Sequence, residues 1–343
     1  MQYGLVFPHF GRYASREGII EGAQRVESYG FDSVWLRDHV SYIAHPWESS
    51  DLTFIDPFVA MCAMAGVTAR LRFGTAGIIP HRHPIHLAGL LGSLDHIAGP
   101  GRVIAGMAVG AYDSEFAAVG MAGWDRRELV KEQVEICRKL WAGEAVGHHG
   151  TYYSFDDAQI NPVPQAGSIE VWYCGSSLAA VRRAVEYCDG WGLARLPRVE
   201  LAGRLKRLRK LASEAGKRTP VVGVNAHVSP GRTRAEAEAK VDFSSLIAEA
   251  PRRFVWRPPS GRYETIDDLD GVVICGAATE IVEEVHRTLA LGPEIEHFVF
   301  DLRNRFADFD SCARFLGEEV LPKLPRGAGA RSAPAVAAAP AAT

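Results

Sequence analysis

Residues 30–39 read Gly30-Phe31-Asp32-Ser33-Val34-Trp35-Leu36-Arg37-Asp38-His39. A glycine is followed by a short apolar run, and that run ends abruptly in an acid and a histidine. Ser33–Leu36 has the length and apolar content of a buried strand. The segment before it, with Ser15 as its N-cap, keeps helical periodicity through Tyr29 and stops at Gly30. Helix, glycine, buried strand and polar loop together make the repeating unit of a parallel α/β protein. In such proteins the loops at the carboxyl ends of the strands carry the chemistry. Asp38 and His39 therefore stand where functional groups are placed.

Outward from this unit the same alternation recurs. Strand-length apolar runs fall at residues 3–7, 33–36, 71–79, 103–109, 170–173, 190–193, 221–228 and 297–301. Helical periods at 15–29, 57–68, 85–96, 128–141, 178–187, 199–215 and 279–289 separate most of them, the last opened by Thr279 and Glu280 as a capped start. Eight strands alternating with helices predict a closed (β/α)8 TIM barrel rather than an open doubly wound sheet. Two stretches exceed the repeat and predict insertions after strands four and seven. These are residues 144–165, with Asn161-Pro162-Val163-Pro164, and residues 229–271, with Arg257-Pro258-Pro259-Ser260-Gly261. The expected organisation is one domain over residues 1–325 and a disordered Ala/Pro-rich tail over 326–343.

Bulk properties narrow the partners. Of 343 residues, 47% are hydrophobic and 23% charged, as in a globular enzyme, and the net charge of −3 gives no reason to expect nucleic acid or an anionic membrane. The six cysteines show no C-x-x-C spacing, so free thiols in a reducing compartment are expected. No apolar run is long enough to span a bilayer, and strand-like residues begin at once with no signal peptide pattern, so a cytoplasmic location is expected.

Several constellations sit where chemistry is placed. His39 is either a packed strand-end histidine or, as its position favours, a group that exchanges a proton or hydrogen-bonds a cofactor ring. His81-Arg82-His83-Pro84-Ile85-His86 invites a metal, but no carboxylate-bearing ligand motif accompanies it and the prolines make it a rigid loop, so no metal is expected. Gly74-Thr75-Ala76-Gly77 places small residues at a strand end, which lets a ligand or a neighbouring backbone approach closely. Strand four ends toward Gly110 and delivers Tyr112, which could lie against a planar ring, and Glu115, whose commoner fate is a helix surface. Gly175-Ser176-Ser177 lies between a strand and a helix, where free backbone N–H groups and hydroxyls suit a phosphate, although a plain serine cap uses the same residues. No Walker, G-x-G-x-x-G or G-x-S-x-G sequence is present.

In this order and spacing the chain resembles the luciferase-like family of flavin and deazaflavin oxidoreductases. The matching segments are Gly30-Phe31-Asp32-Ser33-Val34-Trp35 with Asp38-His39, Leu71-Arg72-Phe73-Gly74-Thr75-Ala76, and Pro80-His81-Arg82-His83-Pro84. Further matches are Gly110 with Glu115-Phe116, Pro162-Val163-Pro164-Gln165, and Gly175-Ser176-Ser177 before Asp189-Gly190-Trp191. The resemblance implies a barrel enzyme, usually a homodimer, that binds F420 or FMN, with F420 favoured. It implies His39 beside ring and substrate as the catalytic group, with Asp38, Gly110 and Tyr112 on the cofactor side. Thr75, Ala76 and Gly77 would line the ring, often through a non-prolyl cis bulge, and Gly175, Ser176 and Ser177 would meet the phosphate. Members that oxidise sugar phosphates carry Trp and Glu where this chain has Ile43 and Ala111, so that activity is not expected. The expected activity is hydride transfer between F420 and a small organic substrate such as an imine or enone. The alternatives are an FMNH2-dependent monooxygenase, for which a separate reductase would supply reduced cofactor, a non-catalytic cofactor-binding accessory protein, and a barrel metallohydrolase.

Overall fold

The computed structural model describes residues 1–43, 51–253, 258 and 261–326. The expected tail beyond Arg326, and Phe254, Trp256 and Arg257 of the second insertion, lie outside the described residues. In chain order the strands are β1 (Gln2–Val6), β2 (Ser33–Leu36), β3 (Arg72–Thr75), β4 (Val103–Met107), β5 (Val146–His149) and β6 (Ser154–Ala158). They continue with β7 (Glu170–Cys174), β8 (Gly190–Ala194), β9 (Val221–Pro230), β10 (Val273–Gly276) and β11 (Ile295–Asp301). Parallel pairing runs β1-β2-β3-β4-β7-β8-β9-β11 and returns from β11 to β1, closing an eight-stranded barrel.

The helices are α1 (Gly22–Ser28), α2 (Pro57–Ala65), α3 (Pro84–Ala98), α4 (Asp113–Ala118), α5 (Arg126–Trp141) and α6 (Leu178–Tyr187). After them come α7 (Arg198–Glu214), α8 (Arg234–Glu238), α9 (Phe243–Arg253), α10 (Ala278–Leu289) and α11 (Phe309–Phe315). Their caps follow local chemistry. Asp56 accepts from Phe58 N, Asp125 from Arg127 N and Ser177 from Ala180 N, each satisfying a donor that the helix leaves open.

Side-chain alternation divides the core in two. Outward residues of the strands, such as Val222, Val224, Ala226 and Val228, pack against the helices, while Val6, Trp35, Ile104, Trp172 and Val299 fill the barrel interior. The two indoles lie 5.3 Å apart, and the His297 ring stands edge-on to Trp172 at 4.7 Å. Glycine across the barrel makes the space: a Cβ on Gly74 would lie 2.4 Å from Trp35, and one on Gly190 2.5 Å from Trp172. The interior is a packed plug below the carboxyl-end mouth.

The differences from expectation are local. The run expected as one strand over 71–79 breaks after Thr75. Five residues from Gly74 to Ile78 oppose four from Ile104 to Met107, a bulge with one extra residue. The first insertion forms the antiparallel β5–β6 hairpin. The second begins later than expected, because β9 continues through Ser229 to Pro230, where β10 pairs with it as a strand outside the ring. That strand escaped the sequence pattern because four residues without alternation carry no period. Tyr263 of this insertion is buried in the main core. Helix α10 is capped by the Glu280 carboxylate accepting from Ala277 N at 2.8 Å, rather than by Thr279.

Three of the buried histidines, His9, His227 and His297, lie on or just after strands of the barrel. His9 bridges β1 to β2, with its Nδ1 2.7 Å from Ile55 O and its Nε2 accepting from Arg37 N at 3.2 Å. Burial lowers His9 and His297 to about 3 and His227 well below its ordinary value. The unfolded chain binds protons on these rings near pH 6.5 while the folded protein does not, so stability rises with pH across this window. We expect full stability above about pH 7 and a decline below about pH 6.5, each ring steepening the slope by about 1.4 kcal/mol per pH unit. Urea midpoints measured from pH 8 to pH 5 check this, and a flat profile would contradict it.

Candidate active site

Asp38, 4% exposed, ends the polar step after β2. Its Oδ2 accepts from Ile79 N at 2.9 Å and from Arg82 Nη1 at 2.6 Å, and its Oδ1 accepts from Arg82 Nη2 at 2.9 Å. Arg82 also reaches Asp56 Oδ2 at 2.9 Å and lies over the Phe58 ring. Both oxygens of Asp38 are thus engaged by this chain, tying the end of β2 to the loop after β3 and, through Arg82, to the start of α2. A bidentate guanidinium fixes direction as well as charge. Asp38 aims the next residue rather than presenting a carboxylate to a ligand.

That next residue, His39, is 12% exposed at its side chain. Its Nδ1 lies 3.1 Å from Glu115 Oε1, and Tyr42, Phe54 and Tyr112 surround the ring at centroid distances of 5.7, 5.6 and 6.2 Å. Glu115, expected on a helix surface, is buried on α4, where Oε1 also accepts from Val40 N at 2.8 Å and Ser41 N at 3.3 Å. Burial raises its pKa, the two backbone N–H donors oppose the rise, and Asp38 adds to it. Tyr112 precedes α4, and Gly110 turns the chain toward it at φ +71, where a Cβ would lie 2.8 Å from Phe116.

The neighbouring strand ends are built of small residues. Thr75 Oγ1 donates to Gly106 O and accepts from Gly106 N, each at 2.9 Å, locking β3 to β4 below the bulge. Ala76 and Gly77 form the bulge with trans peptides, so the cis bond implied by the resemblance is not found here. A Cβ on Gly77 would stand 3.0 Å from Gly106 O, and one on Gly106 would collide with Thr75 O. Beyond β7, Trp191 Nε1 donates to Gly175 O at 2.7 Å and Arg204 Nε to Ser176 O at 2.7 Å. Ser176 Oγ donates to Arg195 O at 3.4 Å, and Ser177 Oγ caps Ala180 N at 3.0 Å. The N–H groups of Leu178 and Ala179, which an α-helix cannot satisfy internally, point out of the start of α6. Leu178 is 60% exposed, so that start is open to a ligand.

The sequence-derived residues therefore gather on the ends of four adjacent strands, β2, β3, β4 and β7. This half of the mouth suits a flat ring cofactor with a phosphate: small residues and aromatic walls line one side, and a solvent-open helix start lies at the other. The other half was not read from sequence. There Arg195 pairs with Asp301 and donates from Nε to Asn225 Oδ1 at 2.8 Å, while Arg303 holds Asp301 at 2.9 and 2.6 Å. Burial alone would raise Asp301, but the guanidinium groups of Arg303 and Arg195 hold it well below the usual carboxylate range. The available signal was an acid closing a strand, Phe300-Asp301, the same punctuation as Leu36-Arg37-Asp38. In the 81–86 loop the rings of His83 and His86 meet edge-on at 6.0 Å, while His83 Nδ1 accepts from Ile85 N at the start of α3. Among the described residues no three His, Cys, Asp or Glu side chains gather as a metal site requires, all six cysteines are free, and no helix is long and apolar enough to cross a membrane.

Comparison with known proteins agrees with this geometry. The F420-dependent hydroxymycolic acid dehydrogenase of Mycobacterium tuberculosis is 27% identical over 296 residues, covering 85% of this chain and 76% of that protein. The F420-dependent glucose-6-phosphate dehydrogenase of Microbacterium testaceum is 28% identical over 337 residues, covering 92% and 97%. Among solved structures, an F420-dependent secondary alcohol dehydrogenase in complex with an F420-acetone adduct shares the fold with a TM-score of 0.77 at 21% identity, covering 95% of this chain and 99% of that one. The FMN-bound oxygenating constituent of 3,6-diketocamphane monooxygenase from Pseudomonas putida gives a TM-score of 0.72 at 20% identity, covering 95% and 99%. The luciferase-like monooxygenase family model matches residues 1–292. A closed parallel barrel with this strand-end site and that match establish that the chain belongs to the luciferase-like family of oxidoreductases.

Proposed function

We propose that the protein is an F420-dependent oxidoreductase that moves a hydride between the deazaflavin and a small organic substrate such as an imine or enone. One observation carries this reading. An aromatic-walled histidine, a bulged small-residue strand and an open helix start meet on four adjacent strand ends. Bound there, F420 would supply the electron pair as hydride. The chain's own part is to hold ring and substrate together and to exchange a proton through His39. Ala76 and Gly77 would admit the ring edge, and Gly175, Ser176, Ser177 and the N–H groups of Leu178 and Ala179 would hold the phosphate.

The curated relatives described above are named for F420, which favours the deazaflavin. The fold likeness to an FMN-bound monooxygenase supports a second reading, an FMNH2-dependent oxygenase. Ile43 and Ala111 weigh against a sugar phosphate as substrate.

We further propose that two copies associate through α2 and α3. Helix α2, Pro-Phe-Val-Ala-Met-Cys-Ala-Met-Ala, has no charged or strongly polar residue on any face, yet Val59 is 64% exposed. Leu90 and Ile97 extend an uncharged outer stripe along α3, where Gly89 leaves open space. A helix apolar all round is ordinarily buried, and a two-fold interface would set this stripe against the same stripe of a second copy.

Fluorescence titration with F420 and FMN tests the cofactor. We expect tight F420 binding and weak FMN binding, and the reverse order would transfer the assignment to the oxygenase. Leu178→Glu should weaken F420 binding about tenfold or more while leaving thermal stability equal or higher, because an acid at a helix start favours the helix but repels a phosphate. Sedimentation should show a dimer, and Val59→Arg with Ile97→Arg a monomer of unchanged barrel circular dichroism.

A further inference from the structure

The pairing of His39 with Glu115 holds more than a packing contact requires. Glu115 is 1% exposed, and a single oxygen, Oε1, accepts everything the carboxyl group receives: Val40 N, Ser41 N and His39 Nδ1. Its second oxygen, Oε2, is buried without a hydrogen-bond partner among the described residues. Anchoring two backbone N–H groups needs only a neutral acceptor, such as the side-chain oxygen of glutamine. A carboxylate buried with one oxygen idle is a costly way to do that alone. The charge gains its use from the third contact, the imidazole.

We propose that Glu115 is the positioning residue of the reaction, acting through His39 to fix the tautomer of its ring and to balance the charge of its protonated form. The inference rests on the reading of His39 as the proton-exchanging group. A carboxylate only accepts, so its bond to Nδ1 requires Nδ1–H, and Nε2 is then the nitrogen that gains and loses the exchangeable proton. In the reducing direction the substrate double bond gains a hydride from the reduced deazaflavin and a proton from Nε2. The Nε2–H bond breaks as a new bond to hydrogen forms on the substrate, and His39 is left neutral with Nδ1–H still donated to Glu115. Oxidation runs the same transfers backwards.

The arrangement is local and specific. Besides Glu115, the described residues facing His39 include Tyr42 and Tyr112, the Phe54 ring, and Asp38, whose charge is matched by Arg82. Arg126 acts on Glu115 from the start of α5. Among the described residues Glu115 is the carboxylate in hydrogen-bond reach of Nδ1. The same oxygen orders Val40 and Ser41, so ring orientation and the path of the chain after β2 are set at one atom.

The test uses the full chain and two readouts. In 15N-histidine NMR of the protein without cofactor, wild type should show His39 in the Nδ1–H form. In Glu115→Gln, which keeps an acceptor oxygen for Val40 and Ser41, the His39 titration should fall by about one pH unit and the Nε2–H form should gain population. In kinetics with F420, Glu115→Gln should lower kcat about 10- to 100-fold, move the limb of the pH profile with the NMR titration, and leave the KM for F420 within about twofold. Glu115→Asp should show a smaller fall than Glu115→Gln. In the His39→Ala background, Glu115→Gln should cost nothing further, since its effect runs through the ring. Unchanged tautomer and titration in Glu115→Gln would overturn the proposal and leave Glu115 a backbone anchor. Full activity of His39→Ala, with the NMR coupling intact, would instead overturn the acid–base reading of His39 and the catalytic role of Glu115 with it.

Discussion

A carboxylate buried beneath the barrel mouth must find its counter-charge, and Asp38 finds it in a bidentate clasp from Arg82. Removing one member of such a pair typically costs about 3–5 kcal/mol, because the other is left buried and uncompensated. The constraint reaches well beyond the pair. It sets the end of β2 against the loop after β3 through Ile79 N, joins α2 through Asp56, and thereby fixes where the chain leaves the sheet. His39 is the first residue after that fixed point. Its meeting with Glu115 on α4 follows from this geometry.

The bulge between β3 and β4 is the complementary constraint. Two tryptophans plug the barrel below, so nothing can enter from beneath, and the strand ends above are made of residues that occupy almost no volume. Thr75 carries the polar bonds of the bulge to Gly106, leaving Ala76 and Gly77 as a low rim beside the His39 side of the mouth. Across the mouth the composition inverts, with Arg195 just after β8, Asn225 and His227 within β9, and Asp301 and Arg303 at the end of β11. The two halves of the mouth thus differ in chemistry, small and aromatic on one side and charged on the other.

How much of this is legible in the sequence depends on the range of the signal. Ser33–Leu36 is recognised because an apolar run ends in an acid, a pattern contained within ten residues. The barrel follows because that pattern repeats, and Gly175-Ser176-Ser177 because strand, turn and helix are contiguous. Glu115 was assigned to a surface because a lone glutamate in a short helix carries no mark of what folds over it, and its partner lies 76 residues earlier. Arg82 was hidden among histidines for the same reason. The run 71–79 reads as one strand because one extra residue leaves the apolar pattern almost unchanged, although the small residues Gly74–Gly77 also suit a bulge, and β10 escapes the pattern because it pairs only with the extended end of β9.

Whether the β2-β3-β4-β7 half of the mouth holds the cofactor ring beside His39 is decided by a crystal structure of the protein with F420. The expected ring position is between the His39 side chain and the Ala76-Gly77 rim, with the phosphate on the N–H groups of Leu178 and Ala179 at the start of α6. A ring lodged elsewhere, such as the open cleft lined by Gly231, Arg232 and Ala278, or a phosphate bound away from α6, would contradict it.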